Sequence, residues 1–313
     1  MRIVVTGGAG FIGSNVVWTL VGAGHAALVI DDMSTGRVGN LHPAASFRTL
    51  DILSPELPGV LAAFEPDVVV HLAAQTSVPA SVADPKHDWT VNVEGTRAVA
   101  RAAAAAGVKR MLSASSAAVY GEPVVVPLPE TAAKTPINPY GTSKLAAESA
   151  IADELRGTAT DFASFRFANV YGPRQDWQGE GGVVAIFTAK MHAKEAATVY
   201  GSGQQTRDFI YVGDIVRGIL DAIDAKVPLA GAGADGPAYN LSTGTQLSVN
   251  ELVAYLRSAT RYLGDLNHVE AREGDIEHSA LDPAKAHKTF GFRATVPIES
   301  GLALTVKWFA QQP

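Results

Sequence analysis

Thr6-Gly7-Gly8-Ala9-Gly10-Phe11-Ile12-Gly13 is the stretch on which the reading of this chain turns. Arg2-Ile3-Val4-Val5 runs into it with the β-branched composition of a buried strand, and residues 11–23 leave it with the spacing of a helix. Glycines between a strand and a helix let the backbone approach a pyrophosphate, for which the helix N-terminus supplies unpaired N–H groups and a partial positive charge. Working outward, the apolar runs 27–31, 67–73, 108–114 and 162–168 read as parallel strands buried on both faces, with helices over 91–106 and 140–156 between them. This alternation predicts an α/β fold built on a doubly wound parallel sheet.

The second of these strands, Ala27-Leu28-Val29-Ile30, ends in Asp31-Asp32, eighteen residues after Gly13. A carboxylate at that spacing accepts hydrogen bonds from the adenosine ribose and repels a 2′-phosphate, so the expected dinucleotide is NAD rather than NADP. Arg37 nearby works against that preference. The sheet is therefore expected to be of the Rossmann type, occupying residues 1–170, with the chain returning to it from parts of 205–245. Beyond about residue 170 the pattern turns irregular: a Gly-rich loop Gly179-Glu180-Gly181-Gly182, a helix near 183–194, and a loop from Ala230 to Gly236. Residues 171–313 are expected to form mainly a smaller, mixed α/β lobe over the strand ends, which binds the substrate.

Bulk properties narrow the field. The 313 residues are 47% hydrophobic, yet no run approaches the ~20 apolar residues of a membrane-spanning helix, so no membrane partner is expected. Met1-Arg2 leads straight into strand-like sequence with no secretory signal, and a cytoplasmic enzyme is expected. The absence of cysteine excludes disulfides and thiolate catalysis. A net charge of −6 gives no general attraction for nucleic acid, so an anionic ligand must be held by local cations. The histidines form no ligand-spaced cluster and no metal is expected. The Ala-rich helix 91–106 is apolar almost all round, as for a helix sandwiched in the core or one that also faces a second subunit in a homodimer.

Ser113-Ala114-Ser115-Ser116-Ala117-Ala118-Val119-Tyr120-Gly121 follows the fifth strand, and Tyr140-Gly141-Thr142-Ser143-Lys144 opens the next helix. Tyr140 and Lys144, four apart, share a helix face. A cation there favours the phenolate and lowers the tyrosine pKa, making it a base for a sugar hydroxyl as hydride leaves the same carbon. Ser116 can hydrogen-bond the same oxygen.

These segments, together with His71-Leu72-Ala73-Ala74 and Asn92, resemble the extended short-chain dehydrogenase/reductase superfamily, in particular UDP-glucose 4-epimerase-like proteins, over nearly the whole chain. The resemblance implies a catalytic triad of Ser116, Tyr140 and Lys144. It implies NAD held by Gly7, Gly10, Phe11, Ile12 and Gly13, by Asp31, Asp32, Ser34 and Thr35, and by Asp51 and Ile52. Leu72, Ala73, Ala74, Gln75 and Asn92 complete that site with Tyr140 and Lys144. The second lobe would then hold a nucleotide sugar through Asn169 of Phe165–Pro173, Val183, Tyr200 and Arg207 of Tyr200–Phe209, and Arg272 and Asp275 of Arg272-Glu273-Gly274-Asp275. In these proteins the two arginines hold the diphosphate and the Asp the nucleotide ribose.

Several reactions of the superfamily begin with hydride abstraction at C4. Dehydration needs a further acid and base directly after the triad serine, where this chain has Ala117 and Ala118; decarboxylases also carry an acid in that segment. Epimerisation needs only the triad, so C4 epimerisation of a UDP-hexose is the favoured reading, with a 4,6-dehydratase, a 4-ketoreductase or a non-catalytic sensor as alternatives. Where many bacterial epimerases have a lysine, this chain has Thr76, and Gln75 or Ser77 is expected to contact the sugar or nicotinamide instead. His71 ends a buried strand and reads as a packed core residue. Counting four positions from Asp275 gives Ser279, which matches a gate residue of the epimerases and is small enough to leave room for a 2-acetamido group.

Overall fold

A computed structural model describes residues 1–178, 182–231, 236–271 and 276–312. The chain opens with β1 (Arg2–Thr6), α1 (Phe11–Gly22), β2 (Ala26–Asp31), β3 (Ser46–Thr49), α2 (Leu57–Phe64) and β4 (Val68–His71). Two short helices, α3 (Val78–Ala83) and α4 (Pro85–Trp89), run through a π-helical turn at Thr90–Glu94 into α5 (Gly95–Ala105). Then come β5 (Arg110–Ser116), α6 (Pro139–Leu155), β6 (Asp161–Phe167), β7 (Asn169–Tyr171), α7 (Val183–His192), β8 (Thr198–Tyr200), β9 (Thr206–Arg207) and β10 (Phe209–Tyr211). The remainder is α8 (Val212–Asp224), β11 (Ala238–Leu241), β12 (Leu247–Ser248), α9 (Val249–Thr260), β13 (Asn267–Val269), α10 (Ala284–Phe290) and α11 (Ile298–Phe309).

Seven parallel strands in the order β11-β6-β5-β4-β1-β2-β3 form the main sheet. This is the doubly wound arrangement expected, and the strand order reverses between β1 and β4, where such sheets open a crevice at their carboxyl ends. One face is covered by α1 and α8, which pack Val16, Val17, Leu20, Ile215 and Ile219 onto Ile3, Val5, Val29 and Phe165. The other is covered by α2, α5 and α6, whose Leu57, Leu61, Val99, Ala103, Ile151 and Leu155 meet Val4, Val69, Met111 and Phe162. A third apolar cluster, with Phe187, Met191, Val199, Leu252, Leu256 and Leu302, lies under the small two-stranded sheets β7–β10, β8–β13 and β9–β12.

The structure corrects several boundaries. The strand expected to end at Ala114 runs on to Ser116, because the polar side chains inside it find partners: Ser113 Oγ lies 3.1 Å from Ser164 Oγ, and Ser115 Oγ donates to Glu148 Oε1 at 2.5 Å. Ser116 is the last residue of β5, at the strand's carboxyl end. The strand read as 67–73 stops at His71, which leaves Leu72–Gln75 as loop. Helix α5 is not apolar all round: Arg97 and Arg101 on its outer face both bond Glu154 of α6. Strands β3 and β11 escaped the sequence reading. No helix among the described residues is long and apolar enough to cross a membrane.

The turn that joins β1 to α1 is closed by contacts that admit no side chain. A Cβ on Gly13 would fall 2.1 Å from the carbonyl oxygen of Gly7, and Gly7 itself sits at φ +68° with its would-be Cβ 2.6 Å from the Ala73 nitrogen. Gly13→Ala is expected to cost about 1–3 kcal/mol, since backbone and not a flexible side chain must yield. Urea unfolding of parent and variant measures it, and an unchanged midpoint would refute this account of the turn.

Candidate active site

The cradle at the sheet's carboxyl edge is assembled from local rules. Gly10 caps α1 without any side-chain hydrogen bond, so the first N–H groups of the helix face the crevice uncapped by side chains. Asp31, buried at the end of β2, accepts the Ala9 N–H at Oδ2 and the Met33 N–H at Oδ1, both at 2.9 Å. Two backbone donors thus fix its carboxylate beside the glycine loop. Asp32 turns away to take the N–H and hydroxyl of Ser34, and Asp51 accepts the Leu53 N–H while Ile52 packs into the core under α5. Arg37 is paired with Asp176 at 2.7 Å, both half exposed.

Thr6 and His71 tie the loops after β1 and β4 together. The Thr6 hydroxyl accepts the N–H groups of Leu72 (3.2 Å) and Ala73 (3.3 Å) and donates to His71 Nδ1 at 2.7 Å. Thr96 donates to the Asn92 carbonyl at 2.6 Å, so its oxygen takes the proton on His71 Nε2 at 2.9 Å. His71 is thus a neutral core residue as expected, and burial, aided by the charge of Lys144, holds its pKa down to about 3.

Behind this chain lies a cluster that the sequence reading did not assemble. Asn92 accepts the Gln75 N–H at 2.9 Å, and its Nδ2, with two hydrogens to share among them, lies 3.0–3.1 Å from the Gln75 carbonyl, Asp88 Oδ1 and Ser143 Oγ. Gln75 spends its side-chain amide on Asp88 and on the backbone of Ser77.

Ser116, Tyr140 and Lys144 converge where β5 ends and α6 begins. Asn138 caps α6 by accepting the Gly141 N–H, and Pro139 occupies the first turn, where a missing N–H costs nothing. The Ser116 hydroxyl accepts the Ala118 N–H and bonds the Tyr140 phenol. Lys144 Nζ donates to the Ala114 carbonyl at 2.9 Å. Burial pushes the Tyr140 phenol above its ordinary value, against the expectation that Lys144 lowers it; the Ser116 bond pulls the other way, and the Asp88 charge adds to the rise. Burial also brings Lys144 down to about 8, opposed by Asp88 and Glu148. Glu148, one turn beyond Lys144, is bridged to Arg166 by bonds of 2.6 and 2.9 Å, and Arg166 donates to the Tyr120 hydroxyl at 2.9 Å. Four-residue spacing from Lys144 was the available signal for Glu148; Arg166 and Asp88 carried none, since buried charges read as surface residues.

On the lobe side, Asn169 is exposed at the start of β7 and Val183 begins α7. Tyr200 ends β8, and Arg207 on β9 donates to the Thr206 carbonyl at 2.8 Å. Arg272 and Asp275 fall outside the described residues. Ser279 donates its N–H to the Thr206 carbonyl at 3.2 Å, and the Leu128 N–H bonds the carbonyl of the next residue, Ala280, at 2.8 Å. The segment carrying Ser279 is thereby stitched to the loop that follows Ser116.

A glycine loop at a topological switch point, a buried carboxylate beside it and a Ser-Tyr-Lys cluster are the parts of a dinucleotide-dependent redox site. Residues 3–241 match the NAD dependent epimerase/dehydratase family, and the chain belongs to that family of nucleotide-sugar enzymes. It is 40% identical over 315 residues to the UDP-glucose 4-epimerase of Mycolicibacterium smegmatis, covering 99% of this chain and 98% of that protein. The structure superposes on a Thermotoga maritima UDP-glucose 4-epimerase with UDP-glucose at a TM-score of 0.93, 39% identity and 99% coverage of both chains. It matches a Thermus thermophilus UDP-glucose 4-epimerase in complex with NAD at 0.91, with 34% identity and 99% coverage of both.

The neutral state of His71 makes stability depend on acid. Between its ordinary pKa of 6.5 and its native value of about 3, the unfolded chain binds a proton that the native one refuses. Stability therefore falls as pH drops through that window, by ~1.4 kcal/mol per pH unit from this group. His71→Gln, neutral throughout, should unfold in urea with that slope removed; equal slopes in parent and variant would contradict the assignment.

Proposed function

We propose that this chain interconverts the C4 epimers of a UDP-hexose, UDP-glucose and UDP-galactose, by transient oxidation to the 4-keto sugar with tightly held NAD. The observation that carries the reading is the Ser116-Tyr140-Lys144 cluster followed directly by Ala117 and Ala118. That turn offers the means to oxidise C4 and no acid or base for elimination at C5 and C6. The likeness over full length to UDP-glucose 4-epimerases supports it.

The cradle fits a dinucleotide. The closed Gly7–Gly13 turn and the open N-terminus of α1 suit a pyrophosphate. Asp31 still has lone pairs for ribose hydroxyls after taking its two backbone N–H groups. Asp176, by occupying Arg37, removes the nearest cation that would welcome a 2′-phosphate. NAD, when bound, supplies the hydride acceptor for C4 and returns the hydride.

The protein's own part is proton handling and orientation. Ser116 and Tyr140 bond the C4 hydroxyl, and Tyr140 takes its proton as hydride leaves the carbon. Lys144, held against the Ala114 carbonyl, places a positive charge near the developing phenolate and offsets the burial that disfavours it. The 4-keto sugar turns over in the pocket, and Tyr140 returns the proton as hydride arrives on the opposite face. Arg207 and Arg272 hold the diphosphate and Asp275 the nucleotide ribose during that rotation, with Asn169, Val183 and Tyr200 around them. Ser279 leaves space beside the sugar, so N-acetylated UDP-hexosamines are accepted too.

Purified protein incubated with UDP-glucose and no added cofactor is expected to form UDP-galactose, and Tyr140→Phe to lose turnover while retaining NAD. An inactive parent overturns the epimerase reading, and an active phenylalanine variant overturns Tyr140 as the base. Ser279→Tyr is expected to cut turnover of the N-acetylated substrates far more than that of the plain ones, by steric exclusion of the acetamido group. A constant ratio of the two rates removes Ser279 from the gate.

A further inference from the structure

Asp88 has no part in the reaction just described, yet it is a carboxylate only 1% exposed at the rear of the reacting pair. It sits in the last turn of α4, which packs against α6. Its hydrogen-bond partners are neutral amides: Gln75 Nε2 at 2.8 Å and Asn92 Nδ2 at 3.1 Å, both landing on the same oxygen, Oδ1. The same Asn92 amide reaches Ser143, which lies beside Lys144 in sequence and donates in turn to the Tyr140 carbonyl at 3.0 Å. Burying an ion against neutral donors alone is costly, and a carboxylate in such a place normally answers a cation.

We propose that Asp88 is a positioning residue for the reaction at Tyr140: its buried carboxylate is the countercharge that keeps Lys144 an ammonium, and the Gln75-Asn92-Ser143 bonds hold it at the back of α6. The inference rests on the epimerase reading for its kinetics but not for its electrostatics.

The charged groups around Lys144 leave this role to Asp88. On α6, Glu148 faces Lys144 one turn on, but its carboxylate is spent on Arg166. On β4, His71 is neutral and locked between Thr6 and Thr96. Tyr140 shares the face of α6 and feels the same carboxylate. Facing Asp88 itself are Tyr140 and Lys144 from α6, with the uncharged Gln75 and Asn92 from the loop after β4 and the turn before α5. Removing the Asp88 charge therefore acts on both partners in one direction: the ammonium loses its proton more readily, and so does the phenol.

Asp88→Asn isolates the charge, because an amide oxygen in the place of Oδ1 keeps both hydrogen bonds. The expected result is a bell-shaped pH profile of kcat displaced bodily to lower pH by about one unit, the effect of one nearby charge. Asp88→Glu, which restores the charge, should bring the bell back. The Lys144 signal in protein labelled with 13Cε-lysine, assigned from Lys144→Arg, should titrate lower in the asparagine variant by a similar amount. Should Asp88→Asn fail to fold, Asp88→Ser must move the bell and the lysine titration in the same direction. A rate reduced equally at every pH with the bell in place, or a Lys144 titration that does not move, overturns the proposal. Were the parent to lack epimerase activity, the functional reading would fail, and the lysine titration would still decide the role of Asp88.

Discussion

A buried ion pair between Glu148 on α6 and Arg166 on β6 sets the height of α6 over the sheet. Arg166 is 3% exposed, and its guanidinium meets the carboxylate through two bonds whose planar fork allows little sliding. The same carboxylate accepts Ser115, the neighbour of Ser116, so one residue fixes both the strand end and the helix that must meet above it. Arg166 reaches on to Tyr120, and the Tyr120 hydroxyl donates to Asn240 on β11, whose amide donates in turn to the Leu128 and Asp282 carbonyls. Breaking such a pair leaves an uncompensated buried charge at a cost of about 3–5 kcal/mol. Ser116 at the end of β5 and Tyr140 and Lys144 on α6 are thus tied to one frame by Glu148.

The substrate side is organised by a different device, in which buried carboxylates collect the backbone N–H groups of loops. Asp208 takes those of Thr243 and Gly244 at 3.0 Å and Leu281 at 3.4 Å. Asp214 takes those of Thr295 and Val296. Loops anchored in this way carry Arg207 and Ser279 on a frame instead of on free chain. Burial raises Asp208, and hydrogen bonds to its charged form counter that rise.

What could be read from the sequence was what is local. The glycine turn, Asp31 and the Tyr140/Lys144 spacing each lie within one strand-turn-helix unit or one helix, so residue order alone places them together. The third strand was missed because Ser46–Thr49 is an edge strand without a buried residue, lacking the apolar run on which the reading relied. β11 was missed for the opposite reason: Asn240 is fully buried, and its polarity mimics a loop. Asp88 and Arg166 stayed hidden because the partners that make their burial tolerable sit on other elements, Gln75 in the loop after β4 and Glu148 on α6, which only the fold brings to them. The bond from the Gln75 amide to Asp88 shows the same limit, since only the fold brings the two together.

The position of β11 at the end of the sheet has a consequence for how the chain comes to be folded. Its partner β6 ends at Phe167, whereas β11 begins at Ala238, with β7 to β10, α7 and α8 synthesised between them. While the polypeptide emerges, six strands can pair in order, yet Phe165 and Arg166 remain an open edge until Tyr239 and Asn240 arrive. Closing so long a loop is entropically slow, and the Tyr120 and Arg166 network stays without its Asn240 acceptor in the meantime. The strand that joins the main sheet last in chain order thus brings Asn240, the acceptor of the Tyr120 hydroxyl, so a chain ending before residue 238 would hold the glycine turn but leave the network beneath α6 without that acceptor.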